Sequence, residues 1–399
     1  MTQVLEGIGF GILALSLYPL GKAFFPEQFH ATTTVRIGVG TTWSNETTAS
    51  TGGNTPGIGV FDTNGQRIGF MSGTKKGKIN DGMWHDIMIP HIDAGNTREP
   101  EYLSVSGGGT DSLCISYISV TTAGGENSIF YGDVPKQCGA AWYHSNTHVI
   151  LQGSYPYYPS CFWITAPDSD GKKSKDFPGG MAYHIIDFLS GNQARSQQYI
   201  DHPETMCQST PRFKMYPTLT EMNCIPVFDP PIQPGSDFGD SDFSKLKTGG
   251  KVTCDPGPNS PVTLDQTMKL QKWYSNKFQD IPTYGVKKRS VVDSSNQACI
   301  DHHVVISDVN AHTATALCKS DTSVGPDFVS TKEGLYCDMC AHELWHVCDA
   351  TITQGCFDRN TTEMRPGTGP QARDGLSGRQ VPAKKYTRVT EWKRTGVDG

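Results

Sequence analysis

The chain has few charged side chains and lacks long apolar runs. Asp, Glu, Lys and Arg make up only 19% of its 399 residues, and the formal net charge is −6. A nucleic-acid partner would need a basic face, so this charge balance argues against one. No basic amphipathic stretch suggests a membrane surface, and the longest apolar segment is too short to cross a bilayer, so we expect no transmembrane span.

Common catalytic signatures are missing as well. There is no P-loop, no G-x-G-x-x-G motif after a strand, no G-x-S-x-G elbow and no visible internal repeat. A glycan-cleaving enzyme would need two carboxylates facing each other across a groove, and 40 acidic residues give no way to choose two. We therefore lean towards a protein that is not an enzyme and that needs no cofactor.

Glycine, proline and cysteine are abundant. The 43 glycines and 25 prolines indicate many turns and short strands rather than long helices. The cysteine count is even, which in a secreted protein suggests six disulfides whose connectivity the sequence cannot give. The twelve candidates are Cys114, Cys138, Cys161, Cys207, Cys224, Cys254, Cys299, Cys318, Cys337, Cys340, Cys348 and Cys356.

Two further features favour secretion. Residues 8–20 are apolar and uncharged, as in the core of a signal peptide, and small residues follow, so we interpret residues 1–23 as a signal or apolar N-terminal segment. The absence of Lys and Arg from residues 1–7 is atypical for such a peptide. Asn45 and Asn360 each begin an N-x-T triplet and are candidate glycosylation sites. We expect a secreted, extracellular protein.

The N-terminal half is patterned as short strands separated by Gly-rich turns. Residues 33–39 alternate between apolar and polar side chains, as in a half-buried strand. Residues 57–70 are typical of a hairpin closed by a two-residue turn at Asn64 and Gly65. This spacing predicts a β-sandwich or jelly-roll-like domain over residues 30–165, with further strands at 85–89, 102–106 and 113–120.

The remainder is expected to be less regular, which makes the fold mainly β with a disulfide-knotted, loop-rich C-terminal half. Residues 166–227 form an extension packed on the sandwich, in which 181–189 is a short helix or a buried strand. Residues 228–298 are a variable linker with a helix at 264–278. Lys288 and Arg289 form either a processing site or an exposed loop. A cysteine-rich β region at 299–358 and a surface tail at 359–399 complete the chain.

Aromatic residues cluster around two cysteines in the first half. Their faces could stack on pyranose rings, or they could pack in the core around a disulfide, and we favour core packing. The candidates are Trp142, Tyr143, Tyr157, Tyr158 and Trp163.

Four motifs carry a family resemblance: CISYIS, CGAAWYHSN, TPRFKMY and SVGPDFVSTKEGLYCDM. The chain resembles a widespread family of secreted, disulfide-rich fungal proteins of unknown activity, over residues 35–357 with a variable middle at 228–298. The resemblance implies secretion and disulfides but no reaction. It also implies that eight cysteines belong to the family pattern and that the other four form two added disulfides. The four additional residues are Cys224, Cys254, Cys299 and Cys340.

The stretch HELWH is the one motif with a recognised catalytic chemistry. On a helix, His342 and His346 would share a zinc ion and Glu343 would activate its water. No third ligand follows at a useful spacing, the segment is a poor helix, and the resemblance makes both histidines peculiar to this chain. A zinc knuckle formed by Cys337 and Cys340 with the two histidines is the other metal hypothesis, although an oxidising compartment favours disulfides there.

The residues therefore favour a non-catalytic extracellular binding or structural protein. Its expected partners are a cell-wall glycan or further copies of itself. The alternative is a zinc metalloprotease that uses HELWH, with zinc as its cofactor.

Overall fold

Strands dominate the computed structural model, which describes residues 22–40, 51–93, 95, 98–151, 155–166, 177–189, 206–207, 209–216, 219, 222–229, 250–254, 302–367 and 381–393. The fold is mainly β and rich in disulfides, as predicted. Several predicted features lie outside the described residues, namely the apolar segment up to residue 21, Asn45, the helix at 264–278, Lys288, Arg289 and Cys299.

The strands are numbered here in chain order. They are β1 (Thr32–Val39), β2 (Gly53–Thr55), β3 (Gly57–Phe61), β4 (Arg67–Met71), β5 (Thr74–Ile79), β6 (Trp84–Pro90), β7 (Tyr102–Ser106), β8 (Leu113–Thr121), β9 (Asn127–Tyr131), β10 (Trp142–Tyr143), β11 (Val149–Leu151), β12 (Tyr155–Tyr157), β13 (Cys161–Ile164), β14 (Gly180–His184), β15 (Phe213–Tyr216), β16 (Cys224–Phe228), β17 (Gly250–Cys254), β18 (His303–Ser307), β19 (Asp327–Ser330), β20 (Leu335–Asp338), β21 (Glu343–Val347), β22 (Cys356–Asp358), β23 (Glu363–Met364) and β24 (Arg388–Trp392). Two short helices, α1 (Asp133–Gln137) and α2 (Ala314–Lys319), and two 3-10 turns, Lys22–Phe24 and Ile185–Phe188, complete the described elements.

Two antiparallel sheets form the sandwich. The first has the order β10-β13-β8-β1-β6 with β9 also paired to β8, and the second has the order β15-β14-β7-β3-β4. One apolar core fills the space between them, with Val35 and Ile37 from the first sheet against Leu103 and Val105 from the second. Side chains of one face of each sheet thus meet in the core, as in other sandwiches.

Strand β1 is buried on both faces rather than on one. Its Val35, Ile37 and Val39 point into the sandwich core, as the alternation predicts. Its opposite face carries Thr34 and Arg36, which are also buried. They are covered because the chain from Lys22 onwards lies across this outer face, a contact that periodicity within β1 cannot reveal.

The hairpin between β3 and β4 forms, but its turn differs from the two-residue turn that was predicted. The amide of Gly65 donates to the carbonyl of Asp62 at 2.9 Å, and the amide of Asp62 donates to the carbonyl of Gln66 at 3.0 Å. Gly65 has a φ of 75°, and Asn64 is outside the positive-φ region. The Asp62 carboxylate accepts from the amides of Asn64 and Gln66 at 3.0 and 2.9 Å, which stabilises the longer loop.

Strands β14 and β15, which lie within the extension predicted at 166–227, are part of the second sheet of the sandwich rather than an addition packed on it. Strand β14 pairs with β7 from Gly180 opposite Ser106 to His184 opposite Tyr102, and β15 pairs with β14 on its other side. The 181–189 segment is a buried strand followed by a 3-10 turn, which reconciles its two predicted alternatives. The signal was ambiguous because a short apolar run has no period of its own.

The C-terminal half is built on a seven-stranded mixed sheet of order β23-β22-β21-β20-β19-β18-β24. Strands β18 and β24 pair in parallel, with Ser307 opposite Trp392. The tail at 359–399 is therefore not a surface tail in its described part, because it supplies two strands to this sheet. Tyr386 and Trp392 are only 5% and 2% exposed, and burial of such rings outweighs the polar composition around them.

Five disulfides join described residues, and no described cysteine has a free thiol. Cys340 is also disulfide-bonded. Four of the observed pairs join cysteines of the eight that the resemblance assigned to the family pattern. The fifth pair joins two of the four additional cysteines, so the pairs agree with the division that the resemblance implied. The pairs are Cys114–Cys161, Cys138–Cys207, Cys318–Cys337, Cys348–Cys356 and Cys224–Cys254.

An aromatic interface joins the sandwich to the C-terminal sheet; it consists of Trp142, Tyr143, His144 and Trp163. The indole nitrogen of Trp142 donates to Ser320 Oγ at 2.8 Å and that of Trp163 donates to the carbonyl of Val324 at 3.1 Å. The Tyr143 hydroxyl donates to the carbonyl of Pro326 at 3.0 Å. Both halves share one apolar cluster here, so each large ring is buried and each polar tip has a partner.

Two features show how tightly this interface is packed. The ring of Tyr143 lies on the backbone of Gly325, where a Cβ atom would sit 2.4 Å from Tyr143 Cδ2. The rings of His144 and His312 stack with centroids 5.0 Å apart. Across the interface, His144 Nε2 donates to the carbonyl of Thr313 at 3.0 Å, and His312 Nε2 donates to the carbonyl of Ser145 at 3.1 Å. Complete burial lowers the pKa of His312 to about 3 and holds that of His144 well below its ordinary value.

We expect stability to fall as the pH drops below about 6.5. Below that pH the unfolded chain binds protons on His144 and His312, and the folded chain does not. The stability that the two neutral rings contribute is therefore fully present above the pKa of the unfolded state and is lost as the pH falls towards the pKa of the folded state. For His312 alone, the free energy of unfolding should be about 2 kcal/mol lower at pH 5 than at pH 7. Urea titration at both pH values measures this difference.

The matched variants are His312→Gln, which cannot titrate, and His85→Gln, which changes an exposed histidine on β6. The first should reduce the pH dependence of stability between pH 5 and 7 to the part that His144 contributes, and the second should leave the His312 contribution of about 2 kcal/mol in place. An unaltered slope in His312→Gln would contradict the assignment.

Candidate functional site

The HELWH motif lies on a strand, so the helix that the zinc hypothesis needs is not formed. Residues Glu343–Val347 form β21, and His342 precedes it with a φ of 53°. Four residues of strand span about 13 Å, whereas ligands of one zinc ion must converge on a single point. His346 lies opposite Leu335 of β20, and Glu343 lies opposite Asp338. The motif therefore does not bring His342 and His346 together.

The zinc-knuckle hypothesis is wrong for a simpler reason. Cys337 is bonded to Cys318 with an S–S distance of 1.96 Å, and Cys340 is disulfide-bonded too. A disulfide sulfur is not a thiolate and does not serve as a zinc ligand.

The aromatic residues proposed as glycan platforms are interior side chains. Trp142, Tyr143 and Trp163 belong to the aromatic interface, and all three are at most 5% exposed. Tyr158 is 8% exposed, and half-buried Tyr157 donates from its hydroxyl to Asp133 Oδ2 at 2.6 Å. Core packing, the favoured interpretation, is confirmed for the four buried rings.

A buried ionic cluster lies at the end of β14. His184 Nδ1 is 3.2 Å from Asp187 Oδ2, and Arg212 Nη1 is 3.1 Å from Asp187 Oδ1. Glu101 Oε2 is 3.8 Å from His184 Nε2. His184, Asp187 and Arg212 are at most 1% exposed, so a substrate cannot reach them. The cluster instead connects the ends of β7, β14 and β15 inside the protein.

An open cleft of about 320 Å³ lies on the outer face of the first sheet. Its lining comes from the N-terminal stretch, the start of β6, the middle of β1 and β8, and the segment that follows the aromatic interface. The residues are Ala23, Phe24, Arg36, Gly82, Met83, Trp84, Tyr117, Asn146, Thr147 and His148. Its size is at the lower end of the range typical of small-molecule sites.

The N-terminal stretch forms one wall of this cleft because the sheet holds its carbonyls. Arg36 Nη1 donates to the carbonyl of Ala23 at 2.7 Å, and Ser119 Oγ donates to that of Phe24 at 2.8 Å. Thr121 Oγ1 donates to the carbonyl of Pro26 at 2.8 Å. Polar side chains on the outward face of β1 and β8 thus bind backbone rather than water.

Arg36 organises the cleft. Its guanidinium donates to both carboxylate oxygens of Asp86, at 2.7 and 2.8 Å, and lies 3.8 Å from the ring centroid of Trp84. Its side chain is 8% exposed, and the two-point ion pair outweighs burial to keep its pKa above the ordinary value. Arg36 and Asp86 lie opposite each other in the β1–β6 register, so the sheet itself fixes their geometry.

Trp84 is the exposed aromatic residue of the cleft. It is 51% exposed although Arg36 lies against its ring. A cation over one ring face holds the indole in place by about 0.5–1 kcal/mol at an exposed site and leaves the rest of the ring available. The arrangement is a fixed, solvent-facing aromatic surface.

Polar groups complete the cleft. Burial raises the pKa of Tyr117 to about 12, so its hydroxyl remains a hydrogen-bond donor at physiological pH. Its ring lies over Gly38, where a Cβ atom would sit 2.1 Å from Tyr117 Cε1. The buried side-chain oxygen of Asn146 has no hydrogen-bond partner among the described residues. A buried acceptor without a partner needs a water or a ligand.

Sequence analysis did not find this site. It predicted a strand over 85–89 but did not single out Trp84, Arg36 or Tyr117. One signal was present in the sequence. Arg36 lies on the polar face of β1, and Asp86, its partner in the β1–β6 register, follows Trp84 by two residues on β6. Without knowledge that β1 pairs with β6, that spacing has no meaning.

The predicted glycosylation site at Asn360 is exposed on a turn after β22. Within the described ranges, no helix is long and apolar enough to cross a membrane.

Comparison with known proteins adds no family assignment. No protein-family model matches the chain, and no curated protein matches it.

Arg36→Ala should destabilise the fold by about 2 kcal/mol, because it leaves the Asp86 carboxylate and the carbonyl of Ala23 without their donor. Lys78→Ala is the matched control: Lys78 pairs with Asp111 at 2.8 Å, but the two side chains are 62% and 42% exposed. That change should cost less than about 1 kcal/mol. Equal losses for the two variants in urea unfolding would contradict the organising role of Arg36.

Proposed function

We propose that this protein is an extracellular, non-catalytic binding protein whose outer-face cleft takes a neutral carbohydrate. The observation that carries the proposal is the exposed ring of Trp84, held from one side by Arg36 beside the hydroxyl of Tyr117. Sugars combine an apolar ring face with surrounding hydroxyl groups. A fixed indole for the face and polar groups for the hydroxyls are the complementary features.

The charge of the cleft favours a neutral ligand. The one arginine in its lining is neutralised by two hydrogen bonds to Asp86. A phosphate or carboxylate ligand would have to displace Asp86 from Arg36, and the two charges of that ion pair already compensate each other. A ligand that offers hydroxyl groups can instead use Tyr117 as a donor partner and Asn146 as an acceptor partner.

The cleft chemistry supports binding rather than hydrolysis. Glycosidases use two carboxyl groups that face each other across the scissile bond. Among the described residues that line the cleft none is acidic, and the adjacent Asp86 is engaged through both of its oxygens. The absence of a general acid from this lining favours a site that holds its ligand unchanged.

The disulfides support the extracellular location. Ten described cysteines form five bonds, a density typical of an oxidising compartment. The exposed sequon at Asn360 is compatible with glycosylation in the secretory pathway. Cell-wall or matrix glycan is the partner that follows from both considerations.

Trp84→Ala should weaken carbohydrate binding about 30-fold, the effect of losing a contact of about 2 kcal/mol. The measurement is calorimetric titration with soluble chitin and β-glucan oligosaccharides, together with retention on the insoluble polymers. Met88→Ala is the matched control, because Met88 is 53% exposed on the same strand but does not line the cleft. Trp84→Phe should retain part of the affinity.

Unchanged affinity in Trp84→Ala would contradict the cleft as the site. Failure of the wild-type protein to bind any of these glycans would contradict the carbohydrate class itself. Unfolding measurements on each variant separate loss of binding from loss of fold.

Self-association is the second candidate, favoured by exposed apolar side chains on the edge strands. Met83, Met88 and Ile92 are 56%, 53% and 48% exposed, next to Phe70 and Met71 at 37% and 39%. Strands β6 and β4 end their sheets and meet each other where Gly69 bridges His91 and the amide of Ile92 donates to the carbonyl of Ile68 at 2.8 Å. The remainder of each edge is a pairing site unless it is protected. Sedimentation of wild type and Met88→Ala over a range of concentrations distinguishes this function from glycan binding, which requires no assembly.

A further inference from the structure

A lysine lies between two carboxylates of the C-terminal sheet, and none of the three lines the cleft. Lys384 Nζ is 2.8 Å from Asp327 Oδ2 and 2.7 Å from Asp338 Oδ1. The carboxylate side chains are 8% and 4% exposed, and that of Lys384 is 19% exposed. The two aspartates come from β19 and β20, which are neighbours, and the lysine comes from the segment before β24.

The surroundings of Asp327 are those of an activated carboxyl group. The amide of Met339 donates to its Oδ1 at 2.7 Å, and the hydroxyl of Tyr386 donates to its Oδ2. The Tyr386 hydroxyl also contacts that of Tyr336, and both rings belong to an apolar cluster with Trp345. Two donors therefore polarise the carboxyl group in a site that excludes water.

The cluster does not have the features of a metal centre, although Asp327, Asp338 and Cys340 place one ligand atom each within 4.8 Å of one another. The sulfur of Cys340 is committed to a disulfide. A lysine ammonium already lies between the carboxylates, where it would oppose a cation.

We propose that Lys384 and Asp327 form an intramolecular isopeptide bond and that Asp338 is the proton-transfer residue for its formation. The reacting groups are in contact, the electrophile carries two hydrogen-bond donors, and a second carboxylate touches the same amine. Proximity of this kind replaces an encounter between separate molecules and so removes part of the barrier to condensation.

The reaction balances without any further reagent. Asp338 accepts a proton from the Lys384 ammonium, and the neutral amine attacks Cγ of the protonated Asp327 carboxyl group. The Nζ–Cγ bond forms and the Cγ–OH bond breaks. The departing hydroxyl takes the proton held by Asp338, and Asp338 then accepts the second proton that the attacking nitrogen loses. The ammonium and the carboxylic acid thus give one amide and one water, and Asp338 ends protonated.

The protonation states fit this sequence. Burial raises the pKa of Asp327 above its ordinary value, which favours the protonated electrophile. Burial alone would lower the pKa of Lys384, but the two carboxylates outweigh it and raise that pKa. The neutral amine therefore arises only when a carboxylate takes its proton, which is the role of Asp338. The pKa of Tyr386 is also raised, chiefly by burial, so its hydroxyl stays a donor.

The bond would fasten the C-terminal strand to the sheet. Asp327 and Lys384 are 57 residues apart, and β24 pairs only at the edge next to β18. A covalent closure of that length limits the unfolded chain as a disulfide would, yet it resists reduction. The bond would thus give β24, the one described strand after residue 367, a covalent link like those that the disulfides provide elsewhere in the chain.

The experiment is peptide mapping by mass spectrometry on reduced, deglycosylated wild-type protein. The expected result is one branched peptide that joins the Asp327 and Lys384 segments, with a mass one water below the sum of its parts. Separate linear peptides in place of the branched one would overturn the proposal and leave a buried ion pair.

Variants identify each role. Lys384→Met should abolish the branched peptide, and Asp338→Asn should abolish it while both bonded groups remain. Asp327→Asn should still cross-link, with loss of ammonia in place of water. Lys385→Ala is the matched control, because Lys385 is the adjacent lysine with a side chain 75% exposed, and it should cross-link fully.

Persistence of the branched peptide in Asp338→Asn would overturn the assigned role of Asp338. If a variant fails to fold, the wild-type map still decides whether the bond exists.

Discussion

The rest of the structure depends on the contact between the sandwich and the C-terminal sheet at the aromatic interface. Trp142, Tyr143 and Trp163 belong to the sandwich by strand pairing and to the C-terminal half by packing and hydrogen bonding. Removing one large aromatic ring from a core costs about 3–5 kcal/mol, against a total stability of about 5–15 kcal/mol for a typical domain. The histidine pair at the same interface adds a dependence on pH, because neither ring accepts a proton while folded.

This interface also determines which part of the first sheet stays open to solvent. It occupies the β10–β13 end of the first sheet, and the N-terminal stretch covers the outer face between β1 and β8. What remains open is the corner near the start of β6, where Arg36 holds the Trp84 ring at the surface. The aromatic residues that most resemble a sugar platform in the sequence therefore pack between the two halves, and exposed Trp84, outside that cluster, lies in the lining of the cleft.

Local patterns predicted local structure well. The strand predicted over 102–106 has the observed bounds. The division of the cysteines that the family resemblance implied agrees with the observed pairs, Cys224–Cys254 among them. Features that depend on distant partners were missed. HELWH matches a helical motif, but pairing with β20 and two neighbouring disulfides make it a strand. The polar tail looked exposed because its buried Tyr386 and Trp392 are isolated in sequence, and the Arg36–Asp86 pair joins residues 50 apart.

Calorimetry tests whether the aromatic interface makes the two halves one cooperative unit. At neutral pH the account predicts a single thermal transition whose calorimetric and van't Hoff enthalpies agree. Tyr143→Ala, which empties the space beside Gly325, should divide that transition into two. Two separate transitions in the wild-type protein would contradict the account, because they would show that the sandwich and the C-terminal sheet unfold independently despite their shared core.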